Sequence, residues 1–115
     1  MTDQKPALPI VTEATVWSKP ACPQCIGAKL GLKGQLGHEP AIRSLIEDPA
    51  TLAVFKANGF SSAPILQFPE VADGDEVLFE TTTVAGKQVN VIEEFGAAVK
   101  ELAAREAARA ELIAA

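Results

Sequence analysis

The sequence predicts an α/β domain in which a four-stranded mixed sheet is flanked by three helices, with an extended helix at the C-terminus. Two observations carry this prediction. Short runs rich in β-branched and aromatic residues alternate with longer segments of helical period, and Pro, Gly, Asn and Asp separate them. A strand–helix–strand unit, two further strands and a closing helix together require both parallel and antiparallel strand pairs.

The predicted elements follow one another in a simple order along the chain. The strands cover 11–18, 41–45, 65–68 and 76–83, and the helices cover 22–36, 49–58 and a final segment after Gly86. In the first helix, Ile26 and Leu30 share one stripe. Asp48 followed by Pro49 is a typical helix start. We expect 69–75 to be a turn-rich loop.

The chain of 115 residues suits one domain. Residues 1–10 are polar and contain proline, so we expect them to form a flexible leader. Residues 11–103 form the predicted domain, and the alanine-rich residues 104–115 form a C-terminal helical extension. A final helix that continues to Ile113 would be about 37 Å long, so its end is expected to project or fray.

Composition argues against several classes of function. Apolar residues make up 48% of the chain and the formal net charge is -5, without a basic cluster. We therefore expect the chain to be folded, and neither nucleic acid nor an anionic membrane is an expected partner. No apolar run approaches the ~20 residues of a membrane span, and the N-terminus lacks the pattern of a secretory signal. We expect a cytoplasmic monomer with neither a nucleic-acid nor a membrane partner.

Cys22 and Cys25 are the only cysteines and lie in one four-residue unit. A disulfide across so short a loop removes little entropy from the unfolded chain, so a structural role is a weak explanation. Their spacing on a helix puts both sulfurs on one side, with Cα atoms roughly 5–6 Å apart. A cysteine in the first turn is stabilised as a thiolate by free N–H groups and the helix dipole, and Lys19 can add positive charge. The pattern predicts Cys22 as nucleophile and Cys25 as resolving cysteine.

Two other interpretations of the pair stay open. A zinc site needs further Cys or His ligands, and His38 is the only histidine, so we expect no metal. Two buried and inert thiols are the other interpretation. The turn at Lys19-Pro20-Ala21 before the pair and the helix after it argue against inert thiols.

Two stretches of the sequence form a recognisable pattern. They are Trp17-Ser18-Lys19-Pro20-Ala21-Cys22-Pro23-Gln24-Cys25 and, before a later strand, Ala63-Pro64. This pattern resembles that of the NrdH-redoxins of bacteria and phages, in the glutaredoxin branch of the thioredoxin-fold superfamily. The resemblance implies a thioredoxin fold and a dithiol–disulfide oxidoreductase. It also implies a cis Ala63–Pro64 bond opposite the disulfide, and an Ala63 backbone that pairs with an extended substrate peptide.

The same resemblance suggests four further substrate-binding residues: Trp17, Lys19, Pro23 and Gln24. Trp17 either flanks the substrate groove or packs against the sheet, and these two roles stay open. The redox-active disulfide takes the place of a bound cofactor. Proteins of this family take electrons from NADPH through thioredoxin reductase and deliver them to ribonucleotide reductase. We therefore expect a thioredoxin reductase-like donor, and ribonucleotide reductase or another disulfide-bearing protein as acceptor.

The chain also departs from the family. Segment 84–90 keeps only Gly86 of the family's Trp-Ser-Gly-Phe-Arg-Pro-Asp stretch, and the Gly-Gly-x-Asp-Asp glutathione pattern of other glutaredoxins is missing. Thioredoxin reductase and glutathione thus stay open as electron sources. A non-enzymatic binding or redox-sensing module is an alternative function. The arsenate reductase/Spx group ranks lower, because the strand region after Pro64 offers no arginine.

Overall fold

A computed structural model describes residues 5–114, which contain six strands and three helices. The strands are β1 (Thr15–Ser18), β2 (Ala41–Ser44), β3 (Ile65–Phe68), β4 (Val71–Asp73), β5 (Glu76–Phe79) and β6 (Thr82–Ala85). The helices are α1 (Pro23–Leu36), α2 (Pro49–Ala57) and α3 (Val89–Ala114). Asp48 caps α2 through its side chain, and Pro49 takes the first helical position, as the sequence predicts.

Four strands form a mixed sheet in the order β2-β1-β3-β6. β1 and β2 are parallel, joined by α1 as the crossover that parallel strands require. β3 is antiparallel to both β1 and β6. The predicted α/β class, with a four-stranded mixed sheet, three helices and a long C-terminal helix, is therefore confirmed.

The predicted strand 76–83 is wrong in its pairing, because the chain divides it between two sheets. Residues 76–79 form β5, which pairs with β4 in a separate antiparallel hairpin, and β6 supplies the fourth strand of the main sheet. The segment 69–75 is accordingly not a loop throughout. Asp73 pairs with Glu76 across a two-residue turn, and Gly74 supplies the positive φ of 61° that such turns favour.

Buried side chains lie on both faces of the main sheet. The face covered by α1 and α3 holds the larger cluster, which includes Val16, Leu66 and Phe68. The opposite face, covered by α2, holds a smaller cluster of Trp17, Leu45, Phe55 and Ile65. The alternation of Val16 and Trp17 along β1 follows from the two-residue period of a strand.

The predicted first helix is present, and its stripe of Ile26 and Leu30 faces outward. Ile26 and Leu30 are 57% and 64% exposed, whereas Cys25, Ala28 and Leu32 are buried. The buried face of α1 includes the small residue Ala28, which lets the helix lie close to the sheet. The apolar pattern of the sequence alone does not reveal which face packs in this way. The exposed stripe therefore remains available to other molecules.

A glycine on α3 lets it approach α1 closely. Gly96 packs against the side chain of Gln35, where a Cβ would come within 2.8 Å of the Gln35 Cβ. At Gly31 of α1, by contrast, a Cβ would lie 3.8 Å from Ile92, which is an ordinary contact. The helix propensity lost at Gly96 is thus linked to tertiary packing.

Part of the predicted leader makes specific contacts. Residues 1–4 lie outside the described part of the chain. Leu8 packs against the smaller core cluster, and the carbonyl oxygens of Pro6 and Pro9 accept hydrogen bonds of 2.9 Å from Asn58 and Gln67. Residues 6–9 therefore lie along the α2 face of the sheet.

The C-terminal part of α3 contacts the β4–β5 hairpin. With 26 residues, α3 is about 39 Å long. Arg105 pairs with Glu76, Glu101 and Asp73, and Arg109 pairs with Asp73 as well. The helix therefore stays attached to the domain through these ion pairs as far as Arg109. Over residues 5–114, no helix combines the length and the apolar character needed to cross a membrane.

Candidate active site

Four strand ends meet at one edge of the main sheet. The register places Ser18 of β1 beside Ser44 of β2, and Ile65 of β3 beside both Trp17 and Ala85. The chain leaves or enters the sheet here on its way to Cys22, Pro64 and Gly86, and we call this edge the cysteine end. Three separate segments of the sequence therefore converge on the cysteine pair.

Cys22 and Cys25 form a disulfide in the first turn of α1, with Cα atoms 5.2 Å apart. Cys22 is the N-cap residue, and Pro23 occupies the first helical position, where its missing N–H costs nothing. The distance of roughly 5–6 Å that was predicted between the two Cα atoms is therefore confirmed. A disulfide between cysteines at this spacing is compatible with a redox role.

The N-terminus of α1 favours negative charge on the Cys22 sulfur. The backbone N–H of Cys25 donates a hydrogen bond of 3.2 Å to Cys22 Sγ, in the manner of a polar N-cap side chain. The first turn carries no acidic residue, so nothing within it opposes the positive end of the helix dipole. In the reduced protein this position would stabilise a thiolate.

The two sulfurs differ in access. Cys22 is 7% exposed and Cys25 is 1% exposed. Of the pair, Cys22 is therefore the more accessible residue. Ala21, just before it, has a φ of +55°, in the left-handed region that most residues avoid at a cost of about 1–3 kcal/mol. This turn brings the chain from Pro20 into α1.

The Ala63–Pro64 peptide bond is cis, as the resemblance implies. Pro64 is buried, and its carbonyl oxygen accepts a hydrogen bond of 2.7 Å from the N–H of Gly86. Gly86 has a φ of +83°, which explains why glycine suits this position. Pro64 and Gly86 thus lie together at the cysteine end, just before β3 and just after β6.

The remaining predicted binding residues differ in their exposure to solvent. Lys19, Pro23 and Gln24 are exposed, and the Gln24 side chain reaches the Gly86 loop, with its Oε1 at 3.7 Å from a Cβ placed there. Trp17 is only 3% exposed. Its indole N–H donates a 2.9 Å hydrogen bond to Gln67, and its ring packs edge-on against Phe55. Of the two roles considered for Trp17, these contacts are those of a sheet-packing aromatic.

Two functional candidates were not predicted from the sequence. Lys87 follows Gly86, and its side chain lies across Gly27 of α1, where a Cβ would come within 3.0 Å of Nζ. Gln67 is a buried amide that bonds Trp17, Pro9 and Thr83. A polar residue in the middle of an apolar strand run was the only available signal for Gln67, and nothing local marks Lys87.

Comparisons with known proteins add no family assignment. No protein-family model matches the chain, and a search of curated proteins finds no significant match.

Proposed function

We propose that this protein is a dithiol–disulfide oxidoreductase with a thioredoxin fold, of the glutaredoxin and NrdH-redoxin type. The observation that carries the proposal is a disulfide at the N-terminus of α1, at the same end of the sheet as Pro64 and Gly86. The strand order β2-β1-β3-β6, with one parallel and two antiparallel pairs, supports the fold assignment. A helix N-terminus supplies the electrostatic environment that such chemistry uses.

In the proposed reaction, the Cys22 thiolate attacks one sulfur of a substrate disulfide. A bond forms between Cys22 and that sulfur, the substrate S–S bond breaks, and the other substrate sulfur leaves as a thiolate that takes a proton from water. Cys25 then loses its proton and attacks Cys22 Sγ. The Cys22–Cys25 disulfide forms, and the second substrate sulfur leaves as a thiolate and is protonated. The substrate gains two electrons and two protons, and the protein loses them.

The substrate segment is proposed to bind beside Pro64. Ala63 precedes the cis bond at the cysteine end, so its backbone groups are candidates to pair with an extended peptide, as in β-strand addition. Ribonucleotide reductase or another disulfide-bearing protein would be the acceptor, as the resemblance implies. Gln24 and Lys19, both exposed near the cysteines, would contact the same segment.

The proposal is tested by reduction of insulin with the full chain. NADPH oxidation is followed with thioredoxin reductase in one arm, and with glutathione plus glutathione reductase in the other. We expect turnover in the thioredoxin reductase arm. Cys22→Ser should abolish turnover, and Cys25→Ser should accumulate a mixed disulfide at Cys22 that mass spectrometry detects. Full turnover by Cys22→Ser, with a folded circular dichroism spectrum, would contradict the assignment.

The second candidate function is a non-enzymatic redox-sensing or binding module. The low exposure of Cys22, at 7%, is the observation that favours it, because a substrate disulfide reaches a largely buried nucleophile only slowly. A module of this kind would form and lose its disulfide with the ambient redox potential but would show no catalytic turnover with either electron source. The insulin assay therefore separates the two functions.

A further inference from the structure

Charged residues are distributed unevenly over this chain. It holds 15 acidic residues, yet segments 14–38, 49–69 and 81–92 contain no aspartate or glutamate. These three segments supply the cysteine pair, the cis proline and the Gly86 loop, and the turn after β2, which holds Glu47 and Asp48, completes the cysteine end. The three segments hold five lysines, and all 15 acidic residues lie in the rest of the chain.

Two lysines at the cysteine end form what we call the cationic rim, namely Lys19 and Lys87. Both are exposed. Lys19 follows β1 directly and precedes Cys22 by three residues, and Lys87 lies across Gly27 in the second turn of α1. Over residues 5–114, the ion pairs join Lys33, Arg105 and Arg109 to carboxylates, and neither rim lysine belongs to one.

In the described part of the chain, three carboxylates belong to this end of the molecule. Glu47 and Asp48 lie beyond the end of β2, where Glu47 is exposed and Asp48 accepts hydrogen bonds of 3.1 and 2.7 Å from Thr51 at the start of α2. Glu93, one turn into α3, lines the same shallow cavity of about 200 Å³ as Lys87. Glu93 would therefore weaken the field of Lys87, and the two carboxylates after β2 would weaken that of Lys19.

We propose that the cationic rim docks an acidic segment of the partner protein beside its reactive disulfide, an inference that rests on the proposed function. The partner chemistry is an extended peptide with Asp or Glu flanking its cysteines. Exposed Ile26 and Leu30 lie on α1 near Gly27 and offer apolar contact to the same segment. Local charge complementarity of this kind raises association rates and selects partners.

The expected preference for acidic peptides is opposite to the preference that the net charge of the chain predicts. A chain of net charge -5 should on average repel an acidic peptide and attract a basic one. Preference for an acidic peptide can therefore arise only from the local field at the cysteine end. This contrast makes the proposal testable with peptides that differ in charge alone.

The test uses three disulfide-containing peptides of equal length, with Glu, Gln or Lys flanking the cysteines. Their single-turnover reduction by the reduced full chain is measured by acid quench and mass spectrometry. We expect the Glu peptide to react about tenfold faster than the Lys peptide at low salt, and this ratio to fall as salt is added. Lys87→Gln should lower the ratio about threefold. Glu93→Gln should raise it.

Lys56→Gln is the matched control, since it removes one positive charge from α2 on the opposite face of the sheet. It should leave the ratio unchanged. Equal rate constants for the three peptides, or equal effects of Lys87→Gln and Lys56→Gln, would overturn the docking proposal while leaving the oxidoreductase intact.

A binding measurement separates failure of the docking proposal from failure of the proposed function. Dye-labelled peptides with serine in place of both cysteines are titrated with the oxidised protein, and fluorescence anisotropy is recorded. Tighter binding of the Glu peptide without reduction of any disulfide would reject the proposed function and support the rim. Equal affinity for the Glu and Lys peptides would reject the rim.

Discussion

The indole N–H of Trp17 donates a hydrogen bond of 2.9 Å to the side-chain oxygen of Gln67, and both residues are buried. The amide nitrogen of Gln67 donates in turn to the Pro9 carbonyl at 2.9 Å and to the Thr83 hydroxyl at 3.3 Å. One side chain on β3 thereby connects β1, β6 and the segment before β1. Every polar atom of this group has a partner, as a buried network requires.

Replacing Gln67 by leucine should destabilise the protein by about 1–3 kcal/mol, because the buried Trp17 N–H loses its acceptor. Urea unfolding followed by far-ultraviolet circular dichroism measures the free energy of unfolding. The double variant Trp17→Phe, Gln67→Leu removes both partners and should recover part of the loss. A cost for Gln67→Leu below about 0.5 kcal/mol would show that the network does not contribute as described.

Two glycine-to-alanine substitutions in helices should have opposite effects on the free energy of unfolding. At Gly34 of α1 a Cβ would meet nothing within 4 Å, so Gly34→Ala should stabilise by up to about 1 kcal/mol through helix propensity. At Gly96 of α3 a Cβ would lie 2.8 Å from the Gln35 Cβ. Overpacking of about 1–3 kcal/mol should outweigh the gain in helix propensity there.

Chemical denaturation of the two variants under identical conditions makes this comparison. Destabilisation by Gly96→Ala and stabilisation by Gly34→Ala would support the close approach of α1 and α3. Stabilisation of similar size by both would mean that the two helices do not meet at Gly96.

The attachment of the α3 end to the hairpin should depend on pH. Hydrogen bonds from Arg109 and then Arg105 hold the pKa of Asp73 below its ordinary value of 3.8. A lowered pKa means that the folded state favours the ionised carboxylate. The stabilisation is therefore fully present above about pH 4, and it is lost as the pH falls through the lowered pKa of the folded protein.

Asp73→Asn should release the same contact at neutral pH. Because the end of α3 then frays more often, we expect several-fold faster tryptic cleavage after Arg109 under native conditions. Glu111→Gln serves as the control, since Glu111 is exposed on the same helix and takes no part in the described ion pairs. Equal cleavage rates for Asp73→Asn and the unsubstituted chain would contradict a role of Asp73 in holding the helix.

Local signals in the sequence predicted most of the elements. The Asp48-Pro49 pair starts α2, and Gly37 ends α1 with a φ of +78°, because capping depends on residues within one turn. The cysteine spacing predicted a disulfide geometry for the same reason. These features need no knowledge of the rest of the chain.

Features that depend on distant partners were not predicted. The alternating run 76–83 indicates strand, but it carries no information about which strand it pairs with, and the chain divides it between two sheets. The burial of Gln67 and the ion pairs of Arg105 with Asp73 and Glu76 likewise follow from neighbours 16 to 58 positions away. The outward position of Ile26 and Leu30 depends on how α1 packs against α3.

The central claim is that the N-terminus of α1 stabilises a thiolate on Cys22 in the reduced protein. The rate of alkylation of each cysteine by iodoacetamide should be measured between pH 4 and pH 10 by peptide mass spectrometry. We expect Cys22 to react first, with a titration midpoint below the ordinary cysteine value of about 8.5. A midpoint at or above about 8.5 for Cys22, or faster alkylation of Cys25, would contradict the account.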